Sequence, residues 1–102
     1  MREDGGTALT VVVHLAAALR PHAGGAANVE LDLPDPVTVG AVLRALAAAH
    51  PAVGRRVQDE AGALRRHVNV FVGADNARDL DGTESVVPAG VEVSVLPAVS
   101  GG

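Results

Sequence analysis

The chain closes on Val99, Ser100, Gly101 and Gly102, and its most accessible reactive group is the carboxylate of Gly102. Two glycines put no side chain beside that carbon, so nothing at the tip blocks access to it or fixes its backbone. Fully extended, 98–102 spans roughly 16 to 18 Å, enough to enter a pocket on another protein while a folded body stays outside. The chain is thereby marked as a donor of its own end. Other chemistry is sparse. There is no cysteine, which excludes disulfides, thiolate metal sites, persulfide carriage and a cysteine nucleophile. All eight basic residues are arginine, so no lysine is available for a Schiff base or an isopeptide bond. Four scattered histidines and twelve acids form no nucleophile–base pattern, which leaves an independent enzyme without support. Asp75, Asp79, Asp81 and Glu84 suggest a metal loop, but the EF-hand order is not matched, and the stretch reads as a solvated acidic loop with a short edge strand near 76–80.

A body must hold that end in place. The segment 1–7 reads as a flexible start, 8–97 as one domain and 98–102 as a flexible tail. Leu9, Val11, Val13 and Leu15 recur at period two, as do Val29, Leu31 and Leu33, so two strands flank a breaker-rich stretch from Arg20 to Ala27 and form an antiparallel hairpin. His14 is a half-exposed strand histidine. Gly24-Gly25 reads as a flexible hairpin loop, because no helix follows it as a phosphate cradle requires. Thr38 sits at an N-cap position, and Val39, Val42, Leu43, Leu46 and Ala47 share one face of a helix that ends at His50-Pro51. Pro51 to Val57 allows a further short turn, and 58–63 reads as a polar loop around Gly62. In Leu64 to Gly73, Val68, Val70 and Val72 alternate with Asn69 and Phe71. Residues 86–90 read as a turn, and Val91, Val93 and Val95 then alternate in a last strand that stops at Pro97, which has no N–H to continue a ladder.

If the valines enter the core, Phe71 and Leu96 face the other way. A one-residue register slip exchanges the two faces, so Phe71 is either an aromatic anchor on an open face or ordinary core. Hairpin, helix, strand, acidic loop and final strand make an α+β chain, a β-grasp arrangement with a mixed four- to five-stranded sheet and one main helix on one face.

The final strand with Leu96-Pro97 and the terminal Gly-Gly, the Pro88-Ala89-Gly90 turn and Thr38-Val39 opening the helix together resemble the ubiquitin-like sulfur-carrier family of MoaD and ThiS. The stretch Leu64 to Val72, after a long helix-to-strand insertion, is similar to its CysO-type branch, which serves cysteine biosynthesis. The resemblance implies that the Gly102 carboxylate is adenylated by an E1-like enzyme, with ATP and Mg used on that partner and no cofactor of the chain's own, and then converted to a thiocarboxylate. An ionised carboxylate can attack an α-phosphate, and the adenylate is an acyl electrophile open to sulfur. On this resemblance Val99, Ser100 and Gly101 are expected to thread the tail into the partner, and Phe71, Leu96 and Pro97 to meet the partners.

The resemblance further implies a sulfur-acceptor enzyme, either cysteine synthase-like or the large subunit of molybdopterin synthase with this chain as the small one. Thiamine or specialised-metabolite thiolation is a third route. A ubiquitin-like modifier, joined through Gly102 to a lysine of another protein, is the competing class. The net charge of −4 argues against a nucleic-acid partner, and the pairs Arg55-Arg56 and Arg65-Arg66 read as solvated surface. The apolar run 8–19 is too short to span a bilayer and is preceded by Glu3 and Asp4, which places the chain in the cytoplasm and off the membrane.

Overall fold

The computed structural model describes residues 8–97. Both the N-terminal segment 1–7 and the tail 98–102, with Val99, Ser100, Gly101 and Gly102, lie outside the described residues. Strand β1 (Ala8–Leu15) pairs antiparallel with β2 (Asn28–Pro34), with Val11 opposite Leu31 and Val13 opposite Val29. The alternation read in the sequence survives intact: Val11, Val13, Leu15, Val29 and Leu31 are buried, while Thr10, Glu30 and Asp32 on the opposite face are exposed.

The connection between these strands differs from the expected flexible loop. Ala17–Ala23 is a 3₁₀ segment with Leu19 and Ala23 buried, and it closes on Gly24 at φ +66°, where the left-handed backbone favours glycine. The arginine-proline-glycine composition signalled a break in the strand. It did not show that Leu19 and Ala23 hold the segment onto the core.

A two-residue strand β3 (Val37–Thr38) leads into helix α1 (Val39–Ala49). Thr38 caps the helix, its Oγ1 accepting from the Ala41 N–H at 3.2 Å, and Val39, Val42, Leu43 and Leu46 are all buried. Pro51 then opens a second helix, α2 (Pro51–Val57), which buries Val53 and Val57. The two helices meet so tightly that a Cβ on Gly54 would stand 2.4 Å from the Ala47 Cβ. After a loop pinned by Asp59, whose Oδ1 accepts from Ala61 and Ala63 N–H at 2.9 Å each, comes β4 (Val68–Val72).

The expected edge strand is β5 (Asp75–Asn76), shorter and slightly earlier than the sequence suggested. Residues 86–90 are not all turn. Val86–Val87 forms β6, which pairs with β3 in a separate two-stranded sheet and buries Val87 against Val37. Only Pro88 to Gly90 turns, closed by the Val91 N–H to the Pro88 carbonyl. Finally, β7 (Val93–Pro97) runs parallel to β1 and antiparallel to β4.

The main sheet has the order β2-β1-β7-β4-β5, mixed and five-stranded, with α1 and α2 over one face. It is a ubiquitin-like β-grasp fold. The last strand therefore lies in the middle of the sheet, bonded on both edges, and this strand carries the chain's end.

Candidate functional site

Pro97 is the last residue of β7 and pairs with Val68, the first of β4. Proline's missing N–H ends the ladder there, so the tail leaves from a strand that is paired with β1 on one edge and β4 on the other. Pairing on both edges through Val95, and with β4 alone through Pro97, fixes where the root of the tail stands.

The sheet face turned away from the helices carries the other expected contact residues. Phe71 lies opposite Ser94, and Leu96 lies opposite Asn69, so Phe71 and Leu96 are diagonal neighbours across the β4–β7 pair. Both are half-buried and neither belongs to the core cluster. The parity reading thus stands, and the reading of Phe71 as ordinary core does not. The expected apolar patch is narrower than the sequence suggested. His14, Asn28, Asn69, Asn76 and Ser94 share this face with Phe71, Leu96 and Val12.

Several of those polar groups bond one another. His14 Nδ1 stands 3.0 Å from Asn28 Oδ1, and Thr10 Oγ1 donates to Asp32 at 2.6 Å. At the other end Arg78, which the sequence reading passed over, holds three partners. Its guanidinium donates to the Val68 carbonyl at 2.6 Å, to Asn69 Oδ1 at 3.0 Å and to the Arg65 carbonyl at 2.7 Å. That clamp fixes the start of β4, the strand against which Pro97 pairs.

A groove of about 490 Å³ opens beside Pro97, lined by Ala18, Leu19, Arg55, Arg56, Arg65, His67 and Val68. Arg55, Arg56 and Arg65, from the two pairs read separately as solvated surface, converge here because the Asp59-pinned loop folds Arg65 back so that its Nε donates to the Arg55 carbonyl at 3.0 Å, while Arg66 does not line the groove. Among the described residues, no aspartate or glutamate lines this groove. Sequence spacing gave no signal of that convergence.

The acidic stretch 75–84 holds β5 and two short 3₁₀ turns, Ala77–Asp79 and Gly82–Glu84, and Asp75, Asp79, Asp81 and Glu84 are all exposed. Among the described residues no three His, Cys, Asp or Glu side chains come together at metal-binding distances. Among the same residues no helix is long and apolar enough to cross a membrane.

Comparison with known proteins bears on what the tail-bearing strand is for. The ThiS family model matches residues 13–102, from the middle of β1 to the terminal glycine. The chain belongs to the ThiS family. Within it, the sulfur carrier protein CysO of Mycobacterium tuberculosis is 34% identical over 96 residues, covering 92% of this chain and all of that protein. Small archaeal modifier protein 1 of Haloferax volcanii is 38% identical over 78 residues, 76% of this chain and 85% of the other. The crystal structure of the Amycolatopsis orientalis BexX/CysO complex contains a chain that superimposes with a TM-score of 0.78 at 33% identity, covering 90% of this chain and 99% of that one. This ThiS-family chain is accordingly kin to a sulfur carrier protein and a small archaeal modifier protein. The family match also includes the Gly-Gly terminus.

Proposed function

We propose that this protein carries sulfur on its own C-terminus. In the reaction proposed, a Gly102 carboxylate oxygen attacks the α-phosphate of ATP on an E1-like enzyme, with Mg on that partner, and pyrophosphate leaves. Hydrosulfide delivered by the partner system then attacks the acyl carbon, the acyl–phosphate bond breaks, AMP leaves, and loss of the S–H proton to solvent leaves the chain ending in a thiocarboxylate. The acceptor is a cysteine-forming enzyme. The observation that carries this reading is the similarity to sulfur carrier protein CysO over 92% of the chain, in a sequence that ends in Gly-Gly and has no cysteine to hold sulfur elsewhere.

The folded part serves as a handle. Pro97 releases the tail from the central strand, Val99, Ser100 and Gly101 thread it, and Phe71 and Leu96 supply contact area for the activating enzyme and the acceptor. Intact-mass analysis of protein purified from its native host tests the proposal. A fraction heavier by the difference between a sulfur and an oxygen atom is expected. That fraction should vanish when Gly102 is deleted, while the melting temperature of the domain stays unchanged.

A second reading is favoured by the similarity to small archaeal modifier protein 1. In it Gly102 forms an amide with a lysine of another protein. The present chain has no lysine and so cannot receive one of its own kind on a side-chain amine. Host-cell conjugates bearing a branched Gly-Gly remnant, without any thiocarboxylate, would replace the carrier reading with this one.

A further inference from the structure

The outer face of the sheet already has a role in the carrier reading, and among the described residues the acidic loop holds no clustered ligands, so the feature still without a role is the groove at the root of the tail. Three of the chain's eight arginines line it, on a protein whose net charge is −4. They come from two elements: Arg55 and Arg56 from the last turn of α2, and Arg65 from the segment leading to β4. Leu19 and Val68, both buried, form its apolar floor, and His67 stands on its wall. A guanidinium stays charged throughout the physiological range, so this is a fixed positive site. On the far side of α2, Arg55 and Arg65 also border Asp59 and Glu60, which moderates their charge there.

Position gives the groove its meaning. Pro97 lines it, and only five residues separate Pro97 from the terminal carboxylate. An enzyme that draws Gly102 into its active site therefore has its channel mouth within roughly 16 to 18 Å of Pro97, the full reach of those five residues. The closer the tail comes to full insertion, the more closely that mouth abuts the arginines.

We propose that the Arg55–Arg56–Arg65 groove is a docking surface for an acidic rim around the channel by which the activating enzyme takes up the tail. This rests on the carrier reading above. The arginines act in encounter and register, not at the reacting carbon, which lies at the other end of the tail. Rim charges of this kind govern association rate and its salt dependence more than the bound-state chemistry.

The test is steady-state adenylation by the host's E1-like enzyme, with the carrier as varied substrate and pyrophosphate release as readout. For Arg55→Glu/Arg56→Glu, KM for the carrier should rise about tenfold or more at about 0.05 M salt, with kcat within about twofold of the parent. The gap should close to about twofold near 1 M salt, where the screening length falls to about 3 Å. Arg44→Glu, an exposed reversal on α1 away from this groove, should leave KM unchanged. Should the double reversal fail to fold by circular dichroism, Arg56→Gln is the substitute, with an expected rise of about threefold. A KM that does not move at low salt, or a fall in kcat at constant KM, overturns the docking surface. If the parent chain is not adenylated at all, the carrier reading falls and takes this inference with it.

Discussion

The two faces of strands β4 and β7 are built on different rules, although they share the same backbone. On one side Val68, Val70, Val72, Val93 and Val95 are no more than 6% exposed and fill the space under the helices. On the other, Asn69, Phe71, Ser94 and Leu96 are half-buried, chemically mixed and uncovered by any helix. The first face is committed to folding. The second keeps the chain's single aromatic ring beside the strand that bears the tail, where it contributes little to the core and is open to a partner. On the carrier reading proposed above, specificity resides in the surface around the tail, which can vary so long as the valine face does not.

That division is testable by breaking each side in turn. The largest effect on stability is expected on the inner face. Leu15 is fully buried, opposite Val95 of β7, and Leu15→Ala should lower the unfolding free energy by about 2–5 kcal/mol in a denaturant titration. A cost under about 1 kcal/mol would mean that the inner face is not the folding face. Next comes the helix layer that covers it. Gly54→Ala pushes a methyl into Ala47 at the α1–α2 contact and should cost about 1–3 kcal/mol through overpacking, visible as a lower melting temperature. An unchanged melting temperature would show that the two helices separate freely.

How much of this was legible beforehand follows from element length. In β1, β2 and the core of α1, several periods of alternating or helical spacing reinforce one another, and the faces came out as read. Two-residue strands have no period to detect. So the sequence shows β6 only as part of a turn, although Val87 is 1% exposed, and β3 is hidden behind Pro34-Asp35-Pro36. Helix α2, at seven residues, showed only its opening proline and was expected as a mere turn. The candidate site divides in the same manner. Phe71 and Leu96 were placed correctly because strand parity is local, while the arginine groove joins residues ten positions apart through a loop whose shape depends on Asp59. Arg78 was missed for a similar reason, since its role is to grip backbone carbonyls at 65 and 68, which no side-chain pattern reveals. Gly101 and Gly102 remain a sequence argument supported by the family match.

The smallest expected change in stability, and the sharpest test of the division, lies at Phe71. Its ring is half-exposed, its cross-strand neighbour Ser94 is small, and it has no other aromatic to stack on, so Phe71→Ala removes contacts from one side only. The loss in unfolding free energy should be about 1 kcal/mol, well below the value for a buried Phe. Its cost should appear instead in partner binding, where an aromatic anchor at an interface centre contributes about 2 kcal/mol or more, equivalent to a rise in KM for adenylation of roughly thirtyfold. Measuring both quantities on one variant separates the two faces directly: a large stability loss with unchanged KM assigns Phe71 to the core, whereas a near-native fold with impaired adenylation assigns the open face to the partner. Because Phe71 is diagonal to Leu96, and Leu96 is adjacent to Pro97, the same ring is also positioned to report how closely the partner approaches the root of the tail.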